Sequence, residues 1–258
     1  MNVVDRPRDV WGLLGGMGAL ASAEFLATIY EQCGPQVEQN LPTVLLLSDP
    51  TVPDRTEALL QGRESELAEA TEIRARVLLD GGATQLAFCC VTLHRIVPLL
   101  PAAVRDRLVS LVDLVFDAVE DRAGPHLMLC TEGTRRSGVF QSRERWRNVS
   151  SSIRFLTDRD QSMLHSRIYQ IKKNDRVDEH SAFIARLAKA YDASSCIAGC
   201  TELHIVAKRS SRDGIGDAVD WIDPLAILAA RIAGPELIPP PTARAHAGRQ
   251  LSSGKGIP

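Results

Sequence analysis

The sequence predicts an α/β protein with two similar lobes, each built on a parallel sheet, and the order of its apolar segments supports this prediction. Short apolar runs at 10–15, 43–47 and 85–89 predict buried strands, and the amphipathic stretches between them predict helices. Strands that alternate with helices at this interval are typical of parallel sheets. The same order repeats in the second half, so we predict a first lobe at 8–112 and a second lobe at 113–217.

The first predicted strand runs into a glycine-rich turn at 15–18, which precedes a predicted helix at 20–33. The glycines permit a tight turn and leave the N–H groups of the helix start open to an anion. Gly16 and Gly18 also fit the dinucleotide-binding pattern G-x-G-x-x-A. However, the acid at the end of the next strand, Asp49, lies 31 residues after Gly18, whereas the ribose-binding acid is expected about 20 residues on. This spacing argues against a nucleotide site.

The second predicted strand ends in a loop, 49–56, with prolines at positions 50 and 53. Proline restricts its own backbone and that of the preceding residue, so the loop presents Arg55 and Thr56 in a fixed direction. An ordinary surface loop in which Arg55 pairs with Asp54 fits the sequence equally well.

The remaining segments continue the alternation of strands and helices. We predict helices at 64–79, 113–122, 137–146, 158–173, 181–191 and 224–233, a short helix within 94–104, and strands at 108–112, 126–130, 153–156, 195–198 and 218–222. We expect residues 218–234 to pack back on the first lobe, and 235–258 to form a flexible tail.

The composition excludes several classes of function. A formal net charge of −2 gives no electrostatic footprint for nucleic acid or an anionic membrane, and 5% aromatic residues are too few for a base-stacking surface. The sequence start lacks a signal-peptide core, and no apolar run approaches the ~20 residues that span a bilayer. The six cysteines form neither a dense disulfide framework nor a CxxC pair. We therefore expect a cytoplasmic protein with reduced thiols and no nucleic-acid or membrane partner.

Two stretches far apart in the chain repeat one pattern: a cysteine after a predicted strand, and a histidine four residues later. They are Cys90-Val91-Thr92-Leu93-His94 and Cys200-Thr201-Glu202-Leu203-His204. Strand ends in open α/β sheets are where such folds bind ligands. Two thiols brought face to face there predict proton transfer on opposite sides of one carbon.

Removal of a proton from a carbon next to a carboxylate needs a base, and it needs donors that hold the developing enediolate. A thiolate is a suitable base because helix N-termini or cations bring its pKa near neutrality, and this chemistry requires no cofactor. Thr92 and Thr201 are candidate donors to the carboxylate, as are the backbone N–H groups at 133–134. Glu202 is a candidate to position or deprotonate Cys200.

The same residue types also have less specific interpretations. A free cysteine on a strand is more often a small core residue, and we assign that role to Cys33, Cys89, Cys130 and Cys196. His94 and His204 fit three roles: thiol partners, metal ligands or ordinary helix-face histidines. A Cys2His2 zinc site is disfavoured because the i,i+4 spacing and the long gap between the two pairs are unlike compact structural fingers. We therefore predict no metal.

Four segments together resemble the aspartate/glutamate racemase superfamily, and most closely its aspartate racemase branch. They are Leu14-Gly15-Gly16-Met17-Gly18, Asp49-Pro50-Thr51-Val52-Pro53-Asp54-Arg55-Thr56, Cys90-x-Thr92-x-His94 and Ala198-Gly199-Cys200-Thr201-Glu202-Leu203. The resemblance runs in order from about residue 10 to residue 233.

The resemblance implies a cofactor-independent racemase with two flavodoxin-like lobes related by a pseudo-twofold axis and an active site between them. Its catalytic thiols fall on Cys90 and Cys200. Its substrate-binding positions fall on Met17, Arg55, Thr92, Thr131, Thr134, Thr201 and Lys172, or on Lys173 in place of Lys172 if the register shifts by one. Supporting positions are Glu202, His94 and Val91. Members of this superfamily are often dimers, so we expect a homodimer that acts on a small-molecule carboxylate.

The first motif departs from the family pattern. Aspartate racemases usually have Cys-Asn-Thr-Ala-His here, and the asparagine helps to bind the substrate, whereas this chain has Val91 and Leu93. Loss of an amide leaves a polar substrate group unpaired, at a cost of about 1–3 kcal/mol. The pocket therefore suits a less polar or larger carboxylic acid than aspartate.

We predict an amino-acid racemase or epimerase of the aspartate/glutamate type, with two alternatives. In the first alternative, the same thiols catalyse isomerisation, decarboxylation, lyase or cyclase chemistry on a non-amino-acid carboxylate. In the second, the cleft belongs to a non-catalytic carboxylate-binding protein.

Overall fold

The computed structural model describes residues 9–174, 177–213 and 219–234, which contain two parallel sheets. The first sheet consists of β1 (Val10–Gly15), β2 (Thr43–Ser48) and β3 (Gln85–Phe88) in the order β2-β1-β3. The second consists of β4 (His126–Leu129), β5 (Ile153–Phe155), β6 (Ser195–Ala198) and β7 (Trp221–Ile222) in the order β5-β4-β6-β7. These strands pair in parallel, which confirms the predicted α/β class with a parallel sheet in each lobe.

Helices connect the strands throughout the described chain. They are α1 (Ala19–Gln32), α2 (Arg55–Leu60), α3 (Glu64–Asp80), α4 (Ala102–Arg105), α5 (Leu111–Glu120), α6 (Glu132–Arg136), α7 (Trp146–Val149), α8 (Asp158–Lys172), α9 (Val177–Ala190), α10 (Glu202–Asp213) and α11 (Pro224–Ala233). Short 3-10 turns lie at Glu38–Asn40, Val91–Arg95, Val97–Leu99 and Ser150–Ser152. Within the described ranges, no helix combines the length and the apolar character needed to cross a membrane.

Side-chain caps fix where several helices begin. The residues before α2, α5, α6, α8 and α11 each accept a backbone N–H bond from the first helical turn, and they are Asp54, Ser110, Thr131, Thr157 and Asp223. A short polar side chain at this position satisfies an N–H group that has no partner within the helix. Two of these caps, Asp54 and Thr131, also lie at the site described below.

The two cysteine motifs occupy equivalent places in the two sheets. The central strands β1 and β4 pair with β3 and β6, respectively. Cys90 is the second residue beyond Phe88, the last residue of β3, and Cys200 is the second residue beyond Ala198, the last residue of β6. Both thiols therefore lie at the carboxyl ends of their sheets.

One apolar cluster joins the two sheets. It includes Leu13 of β1, Met128 of β4 and Ile197 of β6, packed with Phe25 of α1 and Leu228 of α11. Burial of large apolar side chains from both sheets in one cluster stabilises the two lobes against each other.

The last described segment contacts both lobes. β7 extends the second sheet by pairing with β6, whereas α11 packs against α1 and α5. The lobe boundaries at 112 and 217 stay predictions, and the predicted tail at 235–258 lies outside the described residues.

The predicted strand at 108–112 is wrong. Leu108 forms only an isolated parallel bridge with Leu86, and α5 already begins at Leu111. The cause is Ser110, whose hydroxyl accepts the N–H of Asp113 at 3.2 Å and so starts the helix inside the apolar run.

The predicted helix at 137–146 is also wrong, because the helix of this region starts earlier. Thr131 caps α6, which ends at Arg136, and Gly138 has a φ of 67° that an α-helix does not contain. Turns occupy most of the predicted segment before α7 begins at Trp146.

Candidate active site

A narrow, nearly closed cavity lies between the carboxyl ends of the two sheets and is lined by residues of both lobes. Ten of the lining residues are those expected from the sequence: Met17, Arg55, Cys90, Val91, Thr92, Thr131, Lys172, Cys200, Thr201 and Glu202. Asp54 and Thr56 also line the cavity, whereas the expected residues Thr134 and His94 do not. The thiol residues Cys90 and Cys200 are only 7% and 6% exposed.

Cys200 forms a hydrogen bond with Glu202, the first residue of α10. The Cys200 Sγ donates to Glu202 Oε2 over 2.7 Å, and both residues are buried. Burial and the adjacent Glu202 carboxylate raise the pKa of Cys200 well above its usual value, against an opposing effect of Lys172. Cys200 is therefore a protonated thiol near neutral pH.

Lys172, at the end of α8, provides the positive charge next to this pair. Its Nζ lies 3.7 Å from Glu202 Oε1. Burial alone lowers the pKa of Lys172, but the Glu202 carboxylate is the largest opposing effect, and the net pKa is raised. Lys173 is exposed and does not line the cavity, so the structure places Lys172 at the predicted lysine position.

Glu202 also explains why the turn after β1 needs a glycine at position 18. A Cβ atom built at Gly18 would overlap Glu202 Oε1. The glycine therefore leaves room for the carboxylate that bonds Cys200.

Arg55 is buried beneath the loop that precedes it. Its guanidinium donates to the carbonyl oxygens of Val52 at 3.3 Å, Pro53 at 3.1 Å and Met17 at 2.9 Å. Its Nε is buried and has no hydrogen-bond partner among the described residues. The alternative of a surface loop with an Arg55–Asp54 ion pair is wrong, because Arg55 is 8% exposed and the described residues show no such pair.

Three threonines, one from the first lobe and two from the second, form a chain of hydroxyl groups. Thr134 Oγ1 lies 2.8 Å from Thr92 Oγ1 and 3.1 Å from Thr131 Oγ1. Three hydroxyl hydrogens serve two bonds, so the chain has one O–H group to spare. Thr201 Oγ1, also in the second lobe, donates to the carbonyl oxygen of Cys89 in the first lobe at 3.1 Å.

His94 is a neutral, buried histidine that holds backbone groups. Its Nε2 accepts the N–H of Leu111 at 3.0 Å, so its Nδ1 carries the proton and donates to the Cys90 carbonyl oxygen at 3.2 Å. Burial, with a smaller effect of Arg143, lowers the pKa of His94 to about 4. Both ring nitrogens are occupied, so His94 supports the backbone of Cys90.

We expect His94 to make the stability of the protein depend on pH between 6.5 and about 4. Its pKa of about 4 lies below the usual 6.5, so its contribution is complete above pH 6.5 and is lost as the pH falls towards 4, because only the unfolded chain binds the proton there. The shift corresponds to about 3 kcal/mol. Urea unfolding from pH 4 to pH 7 measures it. Between pH 7 and pH 4, the free energy of unfolding of the wild type should fall by about 3 kcal/mol more than that of His94→Gln. Parallel curves of this free energy against pH would contradict the prediction.

His204, the histidine of the second motif, has a different environment. Its Nδ1 lies 2.6 Å from Asp223 Oδ2, and its Nε2 lies 2.9 Å from Thr28 Oγ1. The Thr28 hydroxyl donates to the carbonyl oxygen of Glu24 at 2.8 Å and so accepts from Nε2. Both nitrogens face acceptors, which favours an imidazolium paired with Asp223. The two rings thus contact different partners and do not converge on a metal, and the described residues contain no group of three or more metal-ligating side chains.

The contacts that join the loop 49–56 to the second lobe were not predicted from the sequence. Asp54 Oδ2 accepts a hydrogen bond from the Tyr169 hydroxyl over 2.9 Å. Thr56 lies so close to α6 that a Cβ atom at Gly133 would come within 2.7 Å of its Cα. The one local signal was the position of Asp54 before α2, which is typical of a helix cap but not of a contact between lobes.

Comparison with known proteins agrees with this architecture. A protein-family model described as Asp/Glu/Hydantoin racemase matches residues 14–232. The aspartate racemase of Picrophilus torridus is 22% identical, with a TM-score of 0.72 over 88% of this chain and 94% of that chain. An aspartate racemase homologue from Pyrococcus horikoshii OT3 is 18% identical, with a TM-score of 0.59 over 87% of this chain and 97% of that chain.

A glutamate racemase from Francisella tularensis, solved in complex with D-glutamate, is 16% identical, with a TM-score of 0.57 over 87% of this chain and 78% of that chain. These likenesses show that the chain has the two-lobe fold of these racemases. The family match covers the glycine turn, both cysteine motifs and every lining residue of the cavity. The chain belongs to the Asp/Glu/Hydantoin racemase family.

Proposed function

We propose that this protein is a cofactor-independent racemase or epimerase of an amino acid, and that Cys90 and Cys200 transfer the α-proton. One observation carries the proposal. The two thiols follow equivalent strands of the two sheets and line one buried cavity that also contains two cationic side chains, Arg55 and Lys172. Family membership supports the reaction class.

In this mechanism the two thiols exchange roles. The Cys90 thiolate removes the α-proton, and the electron pair of the broken C–H bond passes into the carboxylate as an enediolate. The Cys200 thiol then donates its proton to the opposite face of the carbon. The product leaves behind a protonated Cys90 and a Cys200 thiolate, so the enantiomer is processed by the same steps in reverse.

The raised pKa of Cys200 supports this assignment of the first half-reaction. Burial and Glu202 raise the pKa of Cys200, which makes it the acid. Lys172, next to Glu202, opposes this effect and stabilises the thiolate that forms after proton donation. Glu202 therefore stabilises the protonated form of Cys200, and Lys172 stabilises its thiolate.

Substrate binding would use donors that have no partner among the described residues. Arg55 Nε is buried without a partner, and the chain formed by Thr92, Thr134 and Thr131 has one spare O–H group. These groups suit a carboxylate whose charge grows as the enediolate forms.

Exchange of the α-proton with solvent tests the proposal. The protein is incubated in deuterated water with the L- and D-forms of aspartate, glutamate and a panel of uncharged amino acids, and ¹H NMR follows loss of the α-proton signal. Circular dichroism of the same samples follows racemisation. We expect exchange and racemisation with at least one amino acid, and no exchange across the panel would overturn the proposal.

A second candidate is the same thiol chemistry on a carboxylate that is not an amino acid. The observation that favours it is the apolar lining by Val91 and Met17, which are 1% and 2% exposed and belong to the hydrophobic core. Neither side chain offers a partner to an amine or a second carboxylate. Decarboxylation, lyase or isomerase activity that survives loss of one cysteine would favour this candidate.

A further inference from the structure

We propose that Tyr169 is a positioning residue that holds both cationic side chains of the active site, Arg55 and Lys172. This inference rests on the proposed function of the cavity. Tyr169 lies on α8 of the second lobe, one turn before Lys172, and does not itself line the cavity. Its hydroxyl and its ring make two separate contacts, and each contact leads to one of the cations.

The hydroxyl holds the first cation through Asp54. The Tyr169 hydroxyl donates to Asp54 Oδ2 over 2.9 Å, while Asp54 Oδ1 accepts the N–H of Glu57 at 2.9 Å and caps α2. Arg55, the next residue, is the first residue of α2. One carboxylate therefore fixes the start of the helix with one oxygen and the opposite lobe with the other.

The ring holds the second cation directly. Lys172 Nζ lies 4.7 Å from the centroid of the Tyr169 ring, which is within the range of a cation–π interaction. On its other side the ammonium group lies 3.7 Å from Glu202 Oε1. The ring and the carboxylate thus hold the Lys172 ammonium next to Cys200.

A second aromatic side chain fixes the ring of Tyr169. The rings of His165 and Tyr169 lie 4.7 Å apart between centroids, and His165 Nδ1 accepts the N–H of Glu132 at 3.2 Å. Burial raises the pKa of Tyr169, so the phenol keeps its proton at neutral pH and acts as a donor. The charged and titratable groups that face Tyr169 are Asp54, Lys172 and His165.

This contact also controls access to the thiols. Cys90 and Cys200 are buried, and the start of α2 lies over the cavity with Thr56 against α6. We expect substrate entry to require that α2 and the second lobe separate. The Tyr169 hydroxyl joins these two parts next to the cavity through its bond to Asp54, and it also contacts Thr56.

Two variants separate the contacts. Tyr169→Phe keeps the ring and removes the hydroxyl, and we expect KM to rise about tenfold with little change in kcat, because Asp54 and the start of α2 lose their bond to the second lobe beside Arg55. Tyr169→Leu also removes the ring, and we expect a further fall in kcat of up to about tenfold, because Lys172 is no longer held beside Cys200. Tyr191→Phe is the matched control. The Tyr191 hydroxyl donates to Asp160 Oδ2 at 2.6 Å, and neither residue lines the cavity.

Alkylation by iodoacetamide provides a measurement that does not depend on turnover. Peptide mass spectrometry reports the labelling rate of each cysteine separately. We expect Tyr169→Phe to label Cys90 and Cys200 about tenfold faster than the wild type and Tyr191→Phe do, with no change at the buried residues Cys130 and Cys196.

Two outcomes would overturn the inference. In one, Tyr169→Phe has the same KM as Tyr191→Phe, and Cys90 and Cys200 are labelled at the same rates in both variants. The other is faster labelling of all six cysteines, which indicates a general loss of stability. If the wild type exchanges no amino acid, the proposed function fails, whereas selective labelling of Cys90 and Cys200 still supports the role of Tyr169 at the cavity.

Discussion

Replacement of either Cys90 or Cys200 with alanine is expected to lower racemisation and α-proton exchange by about a thousandfold. A positioned acid or base contributes about 10²–10⁴ to the rate of proton transfer. The two thiols come from different lobes, and the described lining residues include no third thiol. Rates measured from both enantiomers, by ¹H NMR in deuterated water and by circular dichroism, test the loss.

The buried cysteines outside the cavity provide the control. Cys130 and Cys196 are fully buried, and burial raises the pKa of each to about 12, so neither supplies a thiolate near neutral pH. We expect alanine at either position to change stability modestly and to leave the exchange rate per folded molecule close to that of the wild type. Full activity in Cys90→Ala or in Cys200→Ala would contradict the two-base mechanism and favour chemistry that needs one cysteine.

Much of the candidate site could be predicted because short local motifs determine it. Cys90 and Cys200 each follow a buried strand directly, so the end of the sheet places them without further information. Parallel strands bring their carboxyl ends to one edge. The prolines before Arg55 indicated a fixed loop, but a surface loop fitted the sequence equally well, so its place at the site depended on the resemblance to the family. Cys90 and Cys200 line one cavity because the carboxyl ends of the two parallel sheets face it.

The residues that were missed act over long distances in sequence. Tyr169 meets Asp54 across 115 positions, and no periodicity or motif in either segment indicates the pair. The two mispredicted elements failed for a local reason. Ser110 and Thr131 each accept an N–H bond and start a helix, inside the apolar run 108–112 and before 137–146, respectively. Capping by one hydroxyl outweighed the apolar pattern in both cases.

The two histidines show how far internal similarity of sequence can mislead. His94 and His204 hold the same place after their cysteines. The ring of His94 contacts the start of α5, and the ring of His204 contacts the cap of α11. At Leu111 the ring meets a backbone donor, whereas at Asp223 it meets a carboxylate. One histidine is therefore neutral, and the other pairs with a buried negative charge.

Because of this pairing, we expect Asp223→Ala to be among the most destabilising single substitutions in the chain. The change removes the partner of His204 and also the cap of α11, where Asp223 Oδ1 accepts the N–H groups of Leu225 at 3.0 Å and Ala226 at 3.3 Å. Loss of one partner of a buried ion pair costs about 3–5 kcal/mol. Urea unfolding at pH 7 measures the free energy difference.

Two comparisons separate the charge from the cap. Ser110→Ala removes the equivalent cap of α5, where no buried ion pair is involved, and should cost about 1 kcal/mol. Asp223→Asn keeps an oxygen for the N–H groups of α11 but removes the negative charge next to His204, and should retain most of the destabilisation. If Asp223→Ala costs no more than Ser110→Ala, His204 is not a buried imidazolium, and the two motifs are more alike than their contacts indicate.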